Sequence, residues 1–540
     1  MSYSYLLSLT IVFSSFLLLQ SCEQDDDFDL DDEIEILTEE LDRPVFAENS
    51  NNPFDDQCHP FYTEGKLSPN LRLLNSKQLE NAVKFLNPNY ENYSDPLQSH
   101  QVSAQAVLTD SLILDSATTA KIFDLMEPIS AFLVQTLTSG TSCNVSTISE
   151  EANCFIPKIL QIFTGLTNLN AEDFEAQLRQ SYQHYRPNSQ TEVALQSTIL
   201  EHLMSTDMLF INEVGSIRDS SDASYIFKGQ QVARIMHWAL AQKPPTAQWM
   251  DFFATQNWQN EELMTQKVQQ LLNESNSDNG VLQFVQNYLF LDSETIQGLP
   301  QPDAGPMEEL DQLLKIQIQD LITQADFSFD KLFIEPTNLM QNPSFLSRLT
   351  AKATKPSPVT RGHVIAMKLL CKEPPGVAVD FPIVDVSKLP DTLTPREILE
   401  QHHLSDGCQG CHQYMEPFGF PLDIFDIAGN RIHQWPNGKA IDTRVEINLP
   451  SLSINGSYGS LDDPTQAILD LTEAIVQSDE FDQCMNRALV SYMGGVDLTN
   501  NSQNLSEELS CTETHRADKN VHKTIAQFFL SKSFIIRYEK

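Results

Sequence analysis

The residues Cys408-Gln409-Gly410-Cys411-His412 constrain this chain more than any other feature, because Cys-x-x-Cys-His is the spacing of a c-type haem attachment site. Two cysteines three apart share one face of a helical turn, so both thiols can bond to the vinyl groups of one porphyrin. The histidine that follows lies under the iron as the proximal axial ligand. A chain with 9 Cys and 12 His among 540 residues holds this pattern by chance only on the order of a few times per thousand such chains. The competing readings are a reactive dithiol, half of a zinc site and a disulfide turn. No second Cys-x-x-Cys completes a zinc site, and no βαβ pattern surrounds the motif to suggest a thioredoxin-like fold.

Covalent haem attachment requires an export route, and the N-terminus offers one. Leu6 to Leu19 is an apolar run interrupted only by Ser8, Thr10, Ser14 and Ser15, short for a membrane span and placed where a signal peptide lies. It ends in Leu19-Gln20-Ser21-Cys22, which resembles the lipobox of bacterial lipoproteins, where the signal is cut before a cysteine that carries lipid. Residues 2–18 contain no Lys or Arg, so the positive n-region is reduced to the amino terminus. The alternative is an ordinary signal peptide with a nearby cysteine; both readings export the chain. The expectation is a lipoprotein of a Gram-negative bacterium, membrane-anchored at Cys22, in the periplasm or on the cell surface, since several acyl chains hold where one is marginal. Behind Cys22, ten acidic residues from Asp25 to Glu40 repel one another, so residues 23–53 read as an extended tether.

Whole-chain charge excludes one class of partner. Lys and Arg number 34 against 74 Asp and Glu, a net charge of −40 that argues against nucleic acid and against adhesion of the protein body to anionic lipid. The same charge favours a basic protein partner. Past the signal no apolar run approaches 18 residues, so no further membrane span is expected.

With Cys22 assigned to lipid and Cys408 and Cys411 to haem, six cysteines remain in an oxidising compartment. Six cysteines allow 15 connectivities. Short loop closure favours Cys143–Cys154 and Cys484–Cys511, leaving Cys58–Cys371; free buried thiols are the alternative for the last pair.

Hydrophobic periodicity is helical through most of the chain. Residues 76–86 begin with a Ser expected to cap a helix. Amphipathic stretches follow at about 119–138, 152–165, 171–186, 189–205, 226–242, 260–273, 278–291 and 307–325. Breaks fall at Leu299-Pro300-Gln301-Pro302 and from Ala353 to Pro358. Beyond Arg361 come a short helix through Cys371, Pro374-Pro375, an extended stretch to Pro390 and a helix at about 395–403 just before the haem motif. A loop-rich stretch precedes final helices at about 464–477, 479–493 and 519–531. The expected architecture is mainly α: a helical multi-domain body with a C-terminal mono-haem cytochrome c-like domain. Its parts are a signal peptide (1–22), an acidic tether (23–53), an N-terminal helical region (54–145), a helical domain (146–355) and a haem domain with C-terminal helices (360–540).

Several segments carry a resemblance. Thr394 to His402, a lead-in holding Arg396 and His402, is followed after the haem motif by Glu416-Pro417-Phe418-Gly419-Phe420, Phe425-Asp426-Ile427-Ala428-Gly429 and Asn437-Gly438-Lys439-Ala440-Ile441-Asp442. Upstream stand Arg361-Gly362, Leu369-Leu370-Cys371 and Pro374-Pro375; downstream stand Phe481-x-x-Cys484, Tyr492-Met493-Gly494 and Ser531-Lys532-Ser533-Phe534. Together these resemble bacterial exported c-haem proteins assembled from serial domains of unknown function, found in planctomycetes, myxobacteria and marine proteobacteria. The likeness is specific over residues 361–540 and fainter at 203–256 and at Arg72-Leu73-Leu74-Asn75. The resemblance implies export and one haem c, and leaves the reaction open. Glu416 stands where that family has Asp, and Met493-Gly494-Gly495-Val496 departs from its Tyr-Ala-x-Gly-Arg.

The sixth iron ligand separates electron transfer from small-molecule chemistry. Met415, three residues past His412, lies too near the proximal side to reach the opposite haem face. Met493 is the distal candidate, at a helix end beside two glycines that permit close approach; core packing is its other reading. Met485 and Met367 follow. His402 reads as a haem neighbour or a helix C-terminal histidine, and His363, His403 and His433 as surface residues. Asp423 and Asp426 read as turn and cap residues. The chain has no G-x-G-x-x-G, P-loop, G-x-S-x-G or H-E-x-x-H, so no other catalytic signature is present. Three functions fit: a one-electron carrier serving a redox partner protein, a haem enzyme with an open iron site, or a surface-anchored binding scaffold in which haem is structural.

Overall fold

Apolar residues at helical spacing become helices along most of the chain, as a computed structural model of the protein describes for residues 71–97, 116–139, 143, 147–167, 171–213, 215, 217–219, 224–289, 291, 306–334, 336–349, 357–372, 392–402, 412–449, 451–494 and 519–538. In chain order the first are α1 (Ser76–Leu86), α2 (Ser116–Ser139), α3 (Ile148–Phe163), α4 (Ala171–Tyr185) and α5 (Thr191–Leu203). The middle holds α6 (Gly229–Leu240), α7 (Ala247–Phe253), α8 (Glu261–Ser275), α9 (Gly280–Tyr288), α10 (Pro306–Ile322) and α11 (Pro343–Arg348). The last are α12 (Pro358–Leu369), α13 (Pro395–His402), α14 (Glu416–Gly419), α15 (Gln466–Gln477), α16 (Asp479–Gly494) and α17 (Val521–Leu530). The molecule is mainly α. The two short helices α7 and α11 have seven and six residues, too few for a hydrophobic period to stand out in the sequence.

Caps explain where helices start. Asn75, not Ser76, caps α1: its side chain accepts from Gln78 N at 2.8 Å while Gln78 Oε1 accepts from Asn75 N at 2.9 Å. Ser76 is the first helical residue. Thr147 and Glu150 form the same reciprocal pair at α3.

Among the described residues there are three small antiparallel sheets. Strand β1 (Leu71–Leu73) pairs with β2 (Phe210–Asn212). Strands β3 (Ile217–Asp219), β4 (Ser224–Ile226) and β7 (Ile536–Tyr538) form a second sheet with β4 in the centre, and β5 (Val445–Ile447) pairs with β6 (Gly456–Tyr458). Helix α2 packs on α5, α4 lies between α3 and α5, and α17 packs on α8.

One continuous hydrophobic cluster runs from Leu73 to Ile535. Hydrogen bonds cross the boundary expected near 355–360: Val521 N donates to Phe327 O at 2.9 Å and His522 Nε2 to Ile322 O at 2.7 Å. Buried Arg72 pairs with Glu213 at 2.6 Å and also reaches the carbonyl of Met493, 421 positions away. Among the described residues no helix is long and apolar enough to cross a membrane. The leader, the tether and the stretch 373–391 lie outside the described residues, as do Cys22, Cys58, Cys408, Cys411 and Cys511.

Cys143 is bonded to Cys154. Cys371, just past α12, is bonded to Cys484 in α16, so neither Cys484–Cys511 nor Cys58–Cys371 forms as expected. The reason is helix packing. α12 lies against α16 and brings the two Cα atoms within 5.3 Å across 113 residues, which a preference for short loops overlooks. Replacing both Cys371 and Cys484 by Ser is expected to cost about 2–5 kcal/mol in denaturant unfolding. A non-reducing digest should recover their two peptides joined; a Cys484–Cys511 peptide would contradict the pairing.

Candidate functional site

The segment from His412 onward is held by its contact with α12. α14 has four residues and cannot persist alone, so packing must fix it. Two glycines let the helices touch. A Cβ on Gly362 would come within 1.8 Å of Met415 O, and one on Gly419 within 1.8 Å of Pro358 O. Only hydrogen fits at either position.

Arg361, with no exposed surface, locks the next turn. Its Nη1 donates to Leu422 O at 2.6 Å and Phe425 O at 2.8 Å, and Nη2 donates to Asp426 O at 2.5 Å. Burial pulls the Arg361 guanidinium down to about 10, opposed by the Asp423 and Asp426 carboxylates, so it stays charged at neutral pH. Asp426 then makes the turn expected of it, accepting from Ala428 N at 2.9 Å and Asn430 N at 2.8 Å, with Gly429 at φ +78°. Asp423 does not. It is 1% exposed, and burial pushes its carboxyl up to about 7 against the pull of Arg361 and Arg396, with Glu416 adding to the push.

Helix α13 is positioned from outside. Thr394 and Glu397 form a reciprocal cap at its start, and Lys439 reaches Glu397 at 2.7 Å from the Asn437-Gly438 turn. The Arg396 guanidinium lies 4.1 Å from the centre of the Phe420 ring, a cation–π contact, and donates to Arg444 O.

His412 sits one turn before α14. Its Nδ1 lies 2.5 Å from Oε1 of Glu416, whose side chain is only 5% exposed while that of His412 is 20% exposed. A carboxylate only accepts, so in the neutral-imidazole tautomer that suits this contact Nδ1–H donates to Glu416 and the ring lone pair is on Nε2. That is the arrangement a metal-bound histidine needs, with one nitrogen oriented by a carboxylate and the other for the metal. The donor set thus fits an axial haem ligand. Among the described residues no group of three or more His, Cys, Asp or Glu could hold a metal ion by itself.

The other expected residues lie elsewhere. Met493 is 1% exposed in the body's core, with Arg72 donating to its carbonyl and the neighbouring Gly494 against Phe528. Met485 is fully buried, Met367 is partly buried, and Met415 N donates to His412 O. His433 is exposed as expected, whereas His363, read as a surface residue, is partly buried because α12 packs on both sides. His402's side chain and His403 lie outside the described residues. The Glu416 partnership went unread in the sequence, although His-x-x-x-Glu is the one-turn spacing that signals it.

Residues 337–434 match the model of the PSCyt3 family, proteins of unknown function (DUF1588), a cytochrome-c-related domain. The match takes in Arg361, Cys408, Cys411, His412, Glu416 and Asp426. No curated protein matches the chain, and no solved structure does.

Arg361→Leu should cost about 3 kcal/mol or more, because the carbonyls of Leu422, Phe425 and Asp426 lose their donor in a buried setting; chemical denaturation reads it. For Asp423 the native state keeps its proton to higher pH than the unfolded chain, whose carboxyl titrates near its ordinary value of 3.8. This group's contribution is therefore fully present below about 4 and lost as pH rises through about 7. Asp423→Asn should flatten that decline, raising the melting temperature more at pH 8 than at pH 5.

Proposed function

We propose that this protein is an exported c-type cytochrome-like lipoprotein that carries one haem c and passes single electrons to a partner protein. The observation that supports it most is His412 with Nδ1 held by Glu416, directly behind the Cys408-x-x-Cys411 spacing and inside the cytochrome-c-related family match. In this reading the thiols of Cys408 and Cys411 hold the porphyrin as thioethers and Nε2 of His412 ligates the iron. Bound haem c supplies a one-electron Fe(III)/Fe(II) couple. Glu416 keeps the imidazole in one tautomer and one orientation, and Arg361 with the Gly362–Gly419 contact keeps the supporting turn in place. A remote segment supplies the sixth ligand. Lipid on Cys22 and the acidic tether at 23–53 hold the body near a membrane, and the net charge of −40 selects a basic redox partner.

The test is expression in a periplasm with haem-attachment machinery, followed by oxidised and reduced absorption spectra and addition of carbon monoxide to the reduced sample. A haem that survives denaturation and a reduced spectrum unmoved by carbon monoxide are the expected results. Loss of the covalent haem in Cys408→Ala and Cys411→Ala should accompany them. A folded chain without covalent haem overturns the proposal. A spectrum shifted by carbon monoxide overturns the electron-carrier assignment in favour of a haem enzyme with an open site.

A further inference from the structure

Resting on the haem assignment, we infer that Glu416 is a positioning residue that makes His412 a strongly donating axial ligand and so biases the iron towards Fe(III). Two observations carry this. His412 Nδ1 and Glu416 Oε1 lie 2.5 Å apart, in direct hydrogen-bond contact. The carboxylate is also taken out of water, 5% exposed, so its charge acts on the imidazole through a medium far less screening than solvent.

A carboxylate drawing on the Nδ1 proton pushes electron density to Nε2 and raises the basicity of the ligand. Fe(III) carries one more positive charge than Fe(II), so a more basic ligand stabilises the oxidised form more. Hydrogen bonding to the axial ligand is one of the protein's levers on haem potential. The geometry is held from the far side: Glu416 opens α14, whose closing Gly419 abuts Pro358 of α12, and Met415, one residue before Glu416, abuts Gly362. The carboxylate is therefore fixed by packing rather than by its own rotamer preference.

The test uses the full matured chain and compares wild type with Glu416→Gln and Glu416→Asp at fixed pH. Gln keeps an acceptor oxygen and removes the charge; Asp keeps the charge and shortens the reach. Covalent haem in the wild type is scored first, and its absence overturns the functional assignment rather than this inference. With haem present, midpoint potentials are measured by mediated titration. Glu416→Gln should shift the reduced-to-oxidised ratio at a fixed potential by roughly tenfold towards Fe(II), 59 mV upward for one electron. Glu416→Asp should shift it less. An unchanged potential in a fully loaded Gln variant overturns the inference, as does an Asp variant that moves as far as the Gln variant, because the effect then follows packing and not charge. Should the Gln variant not mature, the wild type still decides. In its Fe(II) form the Nδ1 proton of His412 should be strongly deshielded by proton resonance, and an ordinary imidazole position overturns the inference.

Discussion

A guanidinium without exposed surface is expensive, and the C-terminal third of this protein is arranged around paying that cost at Arg361. Three backbone carbonyls from one short stretch, Leu422, Phe425 and Asp426, converge on it, so the chain there can adopt only a conformation that points them inward. Everything that positions His412 follows from that. The four residues of α14 are pinned between the Arg361 turn and the face of α12, and the paired glycines allow an approach that no other residue type would permit. A short helix that would melt in isolation becomes a fixed support because its surroundings are overdetermined.

Charge acts on two scales in this protein. Arg361 and Arg396 pull on the Asp423 carboxyl while burial and Glu416 push against them, and the chain as a whole carries −40. The two scales do different work. Long-range charge governs encounter and is screened by salt within about a Debye length. The buried set acts over a few ångströms where screening is weak, and there burial, with Glu416 adding to it, holds Asp423 protonated up to about neutral pH.

Much of this was legible in the sequence, and what was not has physical reasons. Amphipathic helices declare themselves, because a buried stripe requires apolar residues at three- and four-residue spacing; α4 begins at the residue that periodicity indicated. The Asp426–Gly429 turn was legible from its residue types. Contacts between distant segments were not. Nothing local at Cys371 points to Cys484, nothing at Gly362 to Met415, and Asp423 reads as a turn residue until the fold buries it. Glu416 was seen as a departure from a family pattern rather than as the partner of His412, although one helical turn separates them.

The small sheets set an order of events. Strands β2 and β4 lie close together in the chain, at 210–212 and 224–226, yet their partners are β1 at 71–73 and β7 at 536–538. Strand β4 is therefore left with a bare edge, and α8 without α17, until the last residues of the sequence are in place. Pairings at such sequence separation are reached late, since the entropy of closing the intervening loop must be met before any contact rewards it. A polypeptide made N-terminus first thus has most of its length in hand while β4 and α8 still lack these last partners.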